Sequence, residues 1–83
     1  MNNRILTEIS NFALVTASNS KDRMVHTYQI KKEFGCSDDN INELEDIISP
    51  YGIIQKGFGD QRWNTFILNQ DLVEPVKSGN FTV

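Results

Sequence analysis

The sequence predicts a small α+β domain made of three helices followed by a β-hairpin. Three observations predict it. Apolar residues recur at helical spacing near the N-terminus. Two further helical patterns flank a tight turn at Gly35. Two runs rich in β-branched and aromatic residues then face each other across Gly59-Asp60-Gln61, which is turn chemistry. At 83 residues the chain has room for one core, and a domain of that size buries only about 60–65% of its unfolded surface.

Residues 3–17 read as the first helix. Ile5, Leu6, Ile9, Phe12, Ala13 and Thr16 fall on one stripe, with Arg4, Thr7, Glu8, Ser10 and Asn11 opposite. Residues 17–22 are polar and form a loop. Thr27 can cap a second helix, in which Ile30 and Phe34 lie four apart on one face. Gly35 stands where the chain leaves that helix, a position favouring left-handed backbone. Ser37 is a good N-cap for a third helix, with Asp38 and Asp39 favoured by the dipole of its first turn. Ile41, Leu44, Ile47, Ile48 and Tyr51 recur at helical spacing. Pro50 turns Ser49 away from helical angles, so this helix ends near Ile48. The hairpin strands are residues 53–58 and 62–68. The expected core is Ile9, Phe12, Ile30, Phe34, Ile41, Leu44, Ile48, Ile54, Phe66 and Leu68.

Helix, Gly-containing turn, helix, then Tyr51-Gly-Ile-Ile54 and a hairpin: this order resembles the winged-helix superfamily. The resemblance implies a winged-helix domain over residues 1–70, with residues 71–83 as a C-terminal tail. It also implies a short strand at Met24-Val-His-Thr27, too short to read as one by itself. The tail contains Pro75 and Gly79 and reads as a turn of helix at Asp71–Glu74 before an extended end. Its Leu72, Val73, Val76 and Phe81 are apolar enough to dock on this domain or on a partner.

Composition bounds the rest. Hydrophobic residues make up 39% and charged residues 23%, a globular balance. No apolar run nears the roughly 18 residues that cross a bilayer, and residues 1–8 lack the pattern of a signal peptide. A single Cys36 makes no internal disulfide, so a cytoplasmic setting is expected. One His26 and one Cys36 do not build a structural zinc site. The carboxylates of residues 38–46 lack the Gly-punctuated loop that calcium sites use. Gly57-Phe-Gly59 has no following helix and is no phosphate cradle. Neither catalysis, a metal nor a cofactor is expected.

Two functions follow from the residues and the resemblance. A winged helix acting as a small DNA-binding regulator would place residues 38–48 in the major groove, where Asn40 and Asn42 can pair with adenine. Its cations lie elsewhere, so such a protein would lead with a basic wing. Lys56, Gln61 and Arg62 would track the backbone beside Trp63, with Tyr28, Lys31 and Lys32 reaching phosphates from the preceding helix. The third helix itself carries five carboxylates and no Lys or Arg, which opposes phosphate approach. The net charge of −3 points the same way. The second function is a protein-interaction module that turns Asp38, Asp39, Glu43 and Asp46 toward a basic protein surface, as an adaptor or a mimic of nucleic-acid charge. Homodimer pairing through the first helix is a further expectation of the resemblance.

Overall fold

The N-terminal apolar periodicity becomes the 17-residue helix α1 (Asn3–Asn19). In this computed structural model, which describes residues 3–57 and 62–83, six further regular elements follow. They are β1 (Met24–His26), α2 (Thr27–Phe34), α3 (Asp38–Ile48), β2 (Gly52–Lys56), β3 (Trp63–Leu68) and α4 (Val73–Lys77). Short 3-10 turns cover Ser49–Tyr51 and Gln70–Leu72. The predicted turn residues Gly59, Asp60 and Gln61 lie outside the described residues. The architecture is α+β, with four helices where three were expected.

The strands form one antiparallel sheet in the order β1-β3-β2. This order, with α2 and α3 inserted between β1 and β2, is a winged-helix-like arrangement. Met24 pairs with Ile67 and Val25 with Phe66, so the three-residue β1 exists because β3 offers it a ladder. Gly52 opens β2 where no side chain fits. A Cβ there would meet the Ile67 carbonyl oxygen at 2.1 Å and the Phe66 ring at 2.6 Å.

Each helix end has a local cause. Gly35 ends α2 with φ 62° and ψ 26°, and its N–H donates to the Lys31 carbonyl at 2.7 Å. Ser37 caps α3, accepting from the Asn40 N–H at 3.2 Å. At α2 the cap is His26 rather than Thr27, because the Gln29 side chain reaches back and accepts from the His26 N–H at 2.8 Å.

The core gathers Leu6, Ile9, Ala13, Leu14, Ala17, Val25, Ile30, Ile41, Leu44, Ile48, Trp63, Phe66, Leu68 and Val76. On α1 the buried stripe is rotated from the predicted one. It runs Leu6, Ile9, Ser10, Ala13, Leu14, Ala17 and Ser18, while Ile5 is 41% exposed. Ser10 tolerates burial because its hydroxyl donates to the Leu6 carbonyl at 2.7 Å, and its small size admits close packing. Phe34 is the clearest departure within the expected core: it is 39% exposed and packs T-shaped against Phe12 at 5.2 Å. Phe12 and Ile54 are half-buried against the cluster.

After Leu68 the chain packs back on the domain. Val76 of α4 is buried, Phe81 packs edge-on to Tyr51 at 5.1 Å, and the Val83 N–H donates to Asn11 Oδ1 at 2.7 Å. The predicted helical turn at residues 71–74 is present and longer than expected: a 3-10 turn leads straight into α4, with Pro75 inside its first turn, where its missing N–H costs nothing.

Candidate interaction surface

The start of α3 is built by charge as well as by its cap. Asp38 receives Lys31 Nζ on Oδ1 and Arg62 Nη1 on Oδ2, the latter at 2.5 Å. One carboxylate therefore joins α2, α3 and the base of the hairpin. The Lys31 hydrogen bond holds the Asp38 carboxyl below the usual carboxylate range; partial burial opposes it, and the charges of Lys31 and Arg62 add to it. Farther along α3, Glu45 Oε2 lies 3.9 Å from Lys56 Nζ on β2. Three of the four cations flanking this helix are thus bound to its carboxylates.

The remaining acids are presented outward. Asp39, Glu43 and Asp46 are exposed, with Asn42 among them. Their spacing of four and three residues puts them on one face of α3. Among the described residues, none of the three forms an ion pair. Counting the whole region from α2 through β2 together with Arg62, four cations stand against six carboxylates, so this side of the molecule is acidic even after pairing.

The residues expected to read nucleic acid are dispersed by these contacts. Asn40 is committed to the cap of α3: its Oδ1 accepts from the Ser37 N–H at 3.1 Å and from the Ser37 hydroxyl at 2.9 Å. Bidentate pairing with adenine needs that same oxygen. Lys31, Lys56 and Arg62 are the cations just described. Tyr28 is 66% exposed and stacked on His26 at 5.4 Å, with the exposed Lys32 one helical turn further on. Gln61 lies outside the described residues.

Trp63 is absent from the surface. It is 2% exposed, and its Nε1–H donates to the Ile41 carbonyl at 2.8 Å. A bulge explains this. Gln55 pairs with Thr65 and Lys56 with Trp63, so Asn64 is an extra residue on β3. Inward-facing positions therefore change parity between Phe66 and Trp63. Cys36 is half-buried, and burial pushes its thiol up, away from reactivity. Among the described residues, no three His, Cys, Asp or Glu side chains gather as a metal site would need, and no helix is long and apolar enough to cross a membrane.

Sequence reasoning missed the double pairing of Asp38. The available signal was the placement of Lys31 and Asp38 on either side of a tight turn, which brings opposite charges together when the helices close. Comparison with protein-family models, with curated proteins and with solved structures gives no match for this chain.

Proposed function

We propose that this chain is a protein-interaction module on a winged-helix-like scaffold, and that the outward face of α3 meets a basic protein surface. The observation that carries this reading is the division of the five α3 carboxylates. Asp38 and Glu45 are used inside the molecule to hold α2 and the hairpin. Asp39, Glu43 and Asp46 form an exposed stripe about 10 Å long. Such a stripe steers a partner carrying Lys or Arg and fixes its register.

A DNA-reading regulator has the element order in its favour, together with the exposed Tyr28 and Lys32 on α2. Fold alone does not carry function, however. Bringing phosphates to α3 sets them against the acidic stripe, and the cations that would offset it already have carboxylate partners.

The test compares two variants of equal charge. One is Asp39→Asn, Glu43→Gln and Asp46→Asn together. The other removes three exposed acids elsewhere: Asp22→Asn, Asp71→Asn and Glu74→Gln. The probes are a helical peptide with Lys at i, i+4 and i+7, and a mixed-sequence DNA duplex, each titrated at low and physiological salt. The α3 variant is expected to lose the peptide by about tenfold, mainly through slower association, while the control variant keeps it. Equal losses in both variants would reduce the face to net charge. Tight duplex binding by the unmodified chain at physiological salt would overturn the proposal in favour of DNA binding.

A further inference from the structure

The sheet order leaves β2 at an edge. Tyr51 accepts from the Asn69 N–H and Ile53 pairs with Ile67, so the odd-numbered residues of β2 turn their amides toward β3. By the alternation of an antiparallel ladder, Gly52, Ile54 and Lys56 turn theirs outward. Among the described residues, no strand pairs with that side. Edge strands are commonly protected by an outward Lys, a Pro or a covering segment. Here Pro50 precedes the strand, and Lys56, its only charge, is drawn toward Glu45 at 3.9 Å.

The face of the sheet turned away from the helices continues the same theme. Alternation puts Met24 and His26, Thr65 and Ile67, Ile53 and Gln55 on it. None is Asp, Glu, Lys or Arg. The row Met24–Ile67–Ile53 runs across all three strands and ends at the edge on Ile53, which is 58% exposed.

We infer that β2 is a self-pairing edge, joining a second copy of this chain antiparallel about a two-fold axis at Ile54. A five-residue strand with outward amides at its first, third and fifth positions is its own complement in that register. Ile54 pairs with its symmetry mate and Gly52 pairs with Lys56 of the other copy, giving about six main-chain hydrogen bonds. Ile53 comes to lie opposite Gln55. No like charges are opposed, since Lys56 meets a glycine. One six-stranded sheet results, in which each apolar row continues into the Gln55 row of the other copy and Ile53 stands diagonal to its own symmetry mate. An interface of this kind falls below the roughly 1,200 Å² of a standard stable complex, so the dimer is weak and concentration-dependent.

The experiment is sedimentation of the full chain from about 10 μM to 1 mM, a range spanning weak association, with amide hydrogen exchange at both ends of that range. Dimer formation is expected, with added protection confined to the amides of Gly52, Ile54 and Lys56. Ile53→Lys puts a charge at an exposed position beside the axis, diagonal to the same charge on the other copy, and should weaken the dimer by about tenfold or more. Gln55→Lys, facing Ile53 across the axis, should act in the same direction and serves if the first variant folds poorly. A monomer throughout the range would overturn the inference. So would a dimer whose β2 amides exchange unchanged, as pairing through Ile5 and Val15 of α1 would give, or a dimer indifferent to both substitutions.

Discussion

Trp63 of β3 donates its indole N–H to the carbonyl of Ile41, one turn into α3, at 2.8 Å. This bond ties the hairpin to the helix from inside, while Asp38 and Arg62 tie them from outside. Trp63→Phe should cost about 1–3 kcal/mol, combining a lost hydrogen bond with a smaller ring in the same space. Trp63→Ala should cost about 3–5 kcal/mol. Urea unfolding followed by circular dichroism measures both. A Trp63→Phe protein as stable as the parent would mean that the bond contributes nothing net.

Leu44 and Phe34 separate the core from its rim. Leu44 is fully buried, and Leu44→Ala should cost about 2–5 kcal/mol. Phe34→Ala removes a larger side chain and should nevertheless cost less, because Phe34 is partly in water already. The order of the two unfolding midpoints is the readout, and a reversed order would contradict the burial.

Arg23 takes a positive φ of 59°, which non-glycine residues adopt at a cost. Its carbonyl accepts from the Leu68 N–H at 2.8 Å, and its guanidinium donates to the Leu68 carbonyl at 3.0 Å, so it clamps the end of β3 beside β1. Arg23→Ala loses the guanidinium and keeps the strain. Arg23→Gly loses the guanidinium and relieves the strain. The glycine variant should be the more stable of the two by about 1 kcal/mol. Equal stabilities would indicate that the left-handed conformation carries no strain here.

Asp38 gives the protein an acid limb. Its pKa is lowered in the folded state, so the folded chain binds its proton less readily than the unfolded chain does. The associated stability is present above the ordinary Asp value of about 3.9 and is lost as pH falls through the lowered native value. Asp38→Asn removes this contribution at every pH. The gap between the unfolding midpoints of parent and variant should be widest near neutrality and should shrink as pH drops below about 4. A gap that is constant with pH would assign the difference to the cap region of α3 rather than to charge.

Local chemistry was sufficient for α1, α2, α3 and the hairpin strands. Ser37 and Gly35 mark the limits of α2 and α3 because capping and left-handed backbone act within a few residues. Ser49, by contrast, keeps helical angles (φ −55°, ψ −32°) before Pro50, and the chain passes from α3 into a 3-10 turn. The helical spacing of Ile41, Leu44 and Ile48 likewise predicted which stripe of α3 is buried. Tertiary structure decided the rest, through distances that no local pattern encodes. Whether Trp63 faces water or the core depends on one extra residue, Asn64, which shows only when β3 is paired with β2. The strand β1 depends on β3, some forty residues away, for its ladder. The roles of the charges were the least legible, since Lys31, Lys56 and Arg62 have one character in sequence and another beside Asp38 and Glu45. A side chain's charge is local, but the field it meets is the sum over neighbours that folding brings within a few ångströms.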